Sequence, residues 1–129
     1  GHCWQSGLFP DGSGFGYIAY PLRDGETEDQ RHNIGYVVKD GRLYPAKAAA
    51  IPFLRKIMPR GDDVSLEMVS ELGTWRIGGM TELSTFHMGN AAMNGFNNQQ
   101  GGVRYSFNGM EAFGMIERSS PAALCTIVA

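Results

Sequence analysis

GVRYSFNGMEAFGMIERS, residues 102–119, decides how the rest of the chain is read. Asn108-Gly109 is the dipeptide favoured at the two central positions of a type I′ turn, where both residues take positive φ. With the turn placed there, Phe107 faces Met110, Ser106 faces Glu111, Tyr105 faces Ala112 and Arg104 faces Phe113. One face of the hairpin then carries Val103, Tyr105, Phe107, Met110, Ala112 and Ile116, a plain core set. The other carries Arg104, Ser106, Glu111, Phe113, Met115 and Glu117. This mixed face either meets solvent or lines an apolar cavity holding a few fixed charges, and alternation alone leaves both open.

Working outward, Cys3 to Phe9 reads as a strand, and Pro10-Asp11-Gly12 as a turn. Gly14 to Leu22 returns with Phe15, Tyr17 and Ala19 on one face and Ile18 and Tyr20 on the other. The glycines at 12, 14 and 16 do not have dinucleotide-loop spacing. Arg23 to Arg31 is a polar, acidic connection without calcium-loop spacing. Asn33 to Tyr44 is a second hairpin turning at Asp40-Gly41. Both its faces are largely apolar, the pattern of a sheet covered on both sides.

Pro45 to Pro59 is ambiguous between a short helix and an irregular or extended crossing, since its prolines oppose one long helix. Asp63 to Glu71 alternates, with Val64, Leu66 and Met68 on one side. Thr74 to Ile77 starts another strand, Gly78-Gly79 predicts a bulge or sharp bend, and Met80 to Met88 continues extended. Gly89 to Gly101 has the amide and glycine content of a long surface loop, one able to lid a cavity. The tail after Pro121 is apolar and able to pair as a last strand. The sum is an all-β, antiparallel barrel or strongly curved sandwich of about eight or nine strands with little helix.

The 129 residues fit one domain, 1–129, which stands alone or belongs to a longer protein. A formal net charge of −2 and the lack of a basic run argue against nucleic acid. No apolar run has the length of a membrane span, and no signal peptide is visible. Cys3 and Cys125 are too few for a disulfide framework. They read as free thiols of a cytoplasmic protein, with a pair joining the terminal strands as the alternative. Gly1-His2 has the look of a tag remnant, so His2 is discounted as a ligand.

HCWQSGLFPDGSGFGYIAYP, the GYVVKDGRLYP hairpin and GVRYSFNGMEAFGMIER together resemble the second, lipocalin-like domain of the carotenoid 1,2-hydratase (hydroxyneurosporene synthase) family. Its relatives include diterpene-pathway and tocopherol-cyclase-like proteins. The resemblance covers most of the chain. It implies a lipocalin-like barrel, tandem domains, isoprenoid ligands and, in some members, protonation of an alkene. An Asp-His-Ser-Trp-Gly segment associated with the family is absent here, and His2-Cys3-Trp4 is only a partial echo.

Glu117 matches the glutamate of the family's closing motif. In an apolar cavity it would be a general acid, and on an outer face an arginine-paired carboxylate. Trp4, Tyr17, Tyr36, Trp75, Tyr105, Phe113 and Met115 suit an apolar pocket or a core equally well. His87 and Arg104 are candidates for orienting a ligand's polar group, and Arg104 also reads as the cross-strand partner of Glu111. No metal site, cofactor or nucleophile constellation is expected. The leading expectation is a barrel that binds an isoprenoid- or lipid-like small molecule in its cavity. The alternatives are a hydratase or cyclase with Glu117 as acid, and a structural domain. The latter would form a homodimer, or pack on a missing N-terminal partner domain, through an open sheet face.

Overall fold

In the computed structural model, which describes residues 1–128, Asn108 and Gly109 take φ of 50° and 73°. The hairpin they close has the expected register, from Phe107 opposite Met110 to Arg104 opposite Phe113. Around it the chain forms β1 (His2–Leu8), β2 (Gly14–Ala19), β3 (Asn33–Lys39), β4 (Arg42–Ala49), β5 (Lys56–Ile57), β6 (Leu66–Ser70), β7 (Gly73–His87), β8 (Phe96–Phe107), β9 (Met110–Pro121) and β10 (Thr126–Ile127). Eight of these strands close into an antiparallel barrel in the order β1-β2-β3-β4-β6-β7-β8-β9, with β9 pairing back onto β1. Closure removes the free sheet edges of the barrel. The two short strands β5 and β10 pair in parallel as a separate ribbon. Helix is confined to single 3₁₀ turns at Ala91–Met93 and Ala122–Leu124.

The inward side chains fill the barrel. Phe15, Tyr17, Val37, Leu66, Met68, Ile77, Val103, Tyr105 and Ile116 are all buried in one cluster. Tyr105 lies at its centre, edge-on to Phe15 with ring centroids 5.0 Å apart. Its ring has room because inward positions of the flanking strands are glycines. A methyl group at Gly79 would approach the Tyr105 ring to 3.0 Å, and one at Gly114 to 2.8 Å. One mouth is sealed by Phe9, Phe107 and Trp75, the last two stacked at 4.7 Å. The other mouth is crossed by the segment between β4 and β6, whose Leu54 and Val64 are fully buried.

Two open alternatives are resolved, for residues 45–59 and for the mixed hairpin face, and two expectations, at Gly78-Gly79 and for the loop 89–101, are corrected. Residues 45–59 contain no helix: β4 runs to Ala49, and the chain then crosses the barrel mouth in irregular form before β5. Gly78-Gly79 is not a bend. The register shift falls between Thr81 and Leu83, so that Glu82 is the extra residue. That bulge keeps Thr81 and Ser84 both inward while Leu83 faces solvent. The expected loop 89–101 is a loop only to about Gly95, because Phe96 to Gly101 already belongs to β8. Its amides Asn97 and Gln99 are buried, and their hydrogen bonds account for a polar sequence inside a strand. The mixed face of the first hairpin meets solvent. Arg104 there bonds Glu111 at 2.7 Å and the bulge residue Glu82 at 2.8 Å.

The packing around Tyr105 gives a test. Gly114→Ala drives a methyl into the Ser6 carbonyl and the Tyr105 ring, and should cost about 1–3 kcal/mol or more as an overpacked core. Gly102→Ala, on the same hairpin with open space around it, should be near neutral. Urea unfolding of the two variants side by side measures the difference.

Candidate functional site

Two regions carry unusual chemistry: a polar network inside the barrel and an uncharged wall outside it. Within the barrel, the Tyr17 hydroxyl donates to Gln5 Oε1 and lies 3.1 Å from Cys3 Sγ. Gln5 Nε2 donates to Tyr105 Oη at 2.9 Å and to the Val64 carbonyl at 3.0 Å. Tyr105 in turn donates to the Met115 carbonyl. Every member of the chain is partnered, which burial demands. Burial pushes the Cys3 thiol up to about 11, against smaller opposing effects of the Tyr17 hydrogen bond and the Arg118 charge. Burial also raises both tyrosines above the ordinary phenol range. These groups are held neutral and form no reactive set.

Below them sits Arg118, whose side chain is only 2% exposed. Its guanidinium donates to Gln99 Oε1 at 2.6 Å, to the Pro52 carbonyl at 2.9 Å and to Asp62 Oδ2 at 2.9 Å. Gln99 is fixed in turn by Ser84 Oγ, and Asp62 by paired hydrogen bonds to Thr81. Pro52 and Asp62 lie at either end of the crossing segment, so the cation ties that segment over the mouth. An ion pair with all its neighbours already satisfied has no free valence for a ligand.

The outer surface is divided. Around β6, β7 and β8 it carries ion pairs such as Arg76–Glu67 and Arg104–Glu82. Beyond His2, which starts β1 and pairs with Glu117, the outward positions around β1, β2 and β3 are Trp4, Ser6 and Leu8, then Gly14, Gly16 and Ile18, then Ile34, Tyr36 and Val38. None is charged. The pairing registers align them in three rows across the strands. The first row runs Glu117, Trp4, Ile18, Ile34. The second runs Met115, Ser6, Gly16, Tyr36, Pro45. The third runs Leu8, Gly14, Val38, Leu43. Leu8, Ile34, Leu43 and Phe113 are each at least 60% exposed. The small residues of the second row leave a hollow of about 640 Å³ between Trp4, Ile34 and Tyr36, and another of about 450 Å³ between Leu8, Tyr36 and Phe113. The Tyr36 ring lies across Gly16, where a Cβ would meet its hydroxyl at 2.6 Å.

The expected site residues are therefore separated. Tyr17 and Tyr105 are buried core, and Trp75 closes a mouth. Trp4, Tyr36, Phe113 and Met115 share the outer wall. Arg104 is spent on its two glutamates and stacks at 4.7 Å on Phe113. His87 is exposed, beside a shallow hollow that also touches Gln100 and Glu117. Glu117 points outward, and its partner is His2, 3.5 Å away through Nε2, not an arginine. Among the described residues no cluster of His, Cys, Asp and Glu could hold a metal ion, and both cysteines are free thiols. No helix among them is long and apolar enough to cross a membrane.

Sequence reasoning missed Gln5, Asp62, Gln99 and Arg118, whose role depends on contacts across as many as 100 residues of chain for Gln5 and 66 for Arg118. It also missed the outer wall as a unit. The signal for that was present in the two apolar faces of the Asn33 to Tyr44 hairpin. Comparison of the chain with family models, with curated proteins and with solved structures finds no match in any of the three.

Sealing of the thiol predicts alkaline lability. Cys3 keeps its proton in the folded state to about 11 against an ordinary 9.0, so between those values the unfolded state releases a proton that the folded state retains. Stability is then intact below pH 9 and falls as pH rises toward 11, by on the order of 2 kcal/mol from this group. The raised tyrosines steepen the loss. Urea midpoints at rising pH should fall in that window, and less steeply in Cys3→Ala; a flat profile would show that the core is not sealed.

Proposed function

We propose that this domain is a non-catalytic docking barrel, which works by packing its outer β1–β3 wall against another folded protein surface. The observation that carries this reading is the pairing of a filled interior with three adjacent strands whose outward positions hold no charge. A solvated antiparallel sheet alternates apolar and polar, and exposed apolar patches of this breadth mark interaction sites. The interior offers little to a small molecule, since Tyr105, Phe15, Met68 and Ile116 occupy it. Alkene protonation would need Glu117 in an apolar enclosure, whereas it lies on the outer face between Trp4 and Gln100 and pairs with His2.

The second reading keeps the hydrophobic small molecule but moves it outside, into the hollow beside Trp4 and Tyr36. Its volume is in the range of ligand sites, though such sites usually enclose most of the ligand.

Native mass spectrometry together with titration of an anilinonaphthalene dye separates these readings. The docking barrel should be purified free of apolar adducts and should bind the dye on its outer wall. Leu43→Lys, at a site 60% exposed, should cut that binding severalfold with the circular dichroism unchanged. A retained apolar adduct would favour the small-molecule reading. Dye binding indifferent to Leu43→Lys would remove the wall from consideration.

A further inference from the structure

The rows of the outer wall have a property that bears on what covers them. A surface that pairs with a second copy of itself must be self-complementary under a two-fold rotation. For two sheets face to face, an axis in the contact plane and parallel to the strands keeps each row in place and reverses its order. With the axis along β2, the first row then sets Trp4 of one copy against Ile34 of the other, with Ile18 meeting Ile18. The second sets Ser6, one of the smallest residues on the wall, against Tyr36, its largest ring but one, and Met115 against Pro45. The third sets Leu8 against Val38, with Gly14 meeting Gly14. In the second row a large side chain meets a small one in both directions at once, and in the first and third rows apolar side chains meet apolar side chains.

The ends of the rows fit the same operation. The first row begins at Glu117 on β9. Continuing the β3–β4 register by one residue from Gly35 opposite Ala46 places Lys47 beside Ile34 at its other end. Reversal brings Glu117 of one copy and Lys47 of the other to the same edge. Unlike charges at the rim and none at the centre is the usual arrangement of a specific interface.

Resting on the docking reading above, we propose that the partner of this wall is a second copy of the same chain, packed about a two-fold axis that runs along β2. Strand addition is closed to the barrel because it has no free edge, so association goes through a face. The wall holds no central charge with which to select an unlike partner. The three central strands, about 4.8 Å apart over about five residues of ~3.3 Å, give a flat core on the order of 240 Å², which the curving β9 and β4 extend only through their side chains. That is below the ~500 Å² per partner of the smaller specific interfaces and in the range of weak encounters. The dimer is therefore weak and concentration-dependent, with β1, β2 and β3 at its centre and the curving β9 and β4 at its rim.

Sedimentation equilibrium under reducing conditions, over roughly 1–300 μM, tests the pairing. The expected result is a shift toward twice the 14.1 kDa chain mass. Ile34→Lys and Trp4→Glu, both at exposed sites, should each weaken association at least tenfold. Mixing the two variants should restore it, because the mixed dimer has one lysine–glutamate contact and one native Trp4–Ile34 contact. Arg76→Glu, on the charged half of the barrel, should leave association unchanged. Recovery in the mixture also shows that both variants are folded. A wild-type chain monomeric throughout, a dimer insensitive to Ile34→Lys, or a mixture that stays monomeric overturns the pairing. In the first case, dye binding that is still lost in Leu43→Lys would leave the docking wall standing with an unlike partner. Dye binding indifferent to Leu43→Lys would remove both.

Discussion

A guanidinium removed from water must have nearly all its donors matched, and Arg118 imposes that requirement on half of the chain. Its partners come from β8, from the start of the crossing segment and from its end. Replacing such a pair by apolar residues is often tolerated, but deleting one partner leaves a buried charge at a cost of roughly 3–5 kcal/mol. The crossing segment is thus held over the mouth by electrostatics as much as by Leu54. Once the mouth is covered, the interior is a closed volume, and Tyr105 with its aromatic and aliphatic neighbours fills it.

A filled, edgeless barrel has few ways to act. It has no strand to lend and no cavity to open, so its chemistry lies on its walls. Those walls differ: one half carries ion pairs that keep it solvated, and the other carries aromatic, aliphatic and glycine positions in register. Exposed ion pairs contribute little to stability. Their more useful consequence here is to confine the uncharged surface to one side, which gives the domain a direction.

Much of this was legible in the residues, and the failures have physical causes. Asn108-Gly109 and Asp40-Gly41 announce positive φ directly, so two hairpins and their registers could be read from local chemistry. Alternation also placed Val64, Leu66 and Met68 inward. Gln99 could not be placed, because amide-rich sequence signals a loop unless Ser84 and Arg118 are known to be waiting. Gly78-Gly79 has the composition of a bend, yet Gly79 serves Tyr105 instead and the bulge sits at Glu82, which carries no local mark. The hardest distinction was between a sheet face that lines a cavity and one that meets solvent. Phe113 and Met115 are apolar in either case, and only closure of the ring decides which side they occupy.

Ring closure also bears on how the molecule is made. The last pairing of the barrel joins His2 to Ser119, and the Arg118–Asp62 bond spans 56 residues. Neither can form until most of the chain has been gathered, and the entropy of that gathering is lost before the contacts repay it. The two tight hairpins can form early, in about 1–10 μs. The seam between the first and ninth strands comes late, on the millisecond-to-second scale of domains built from distant pairings. Until then β1, whose outward Trp4, Ser6 and Leu8 begin the uncharged wall, has unpaired backbone at an open edge. In that interval the same residues that give the finished barrel its docking wall are its greatest exposure to misassembly.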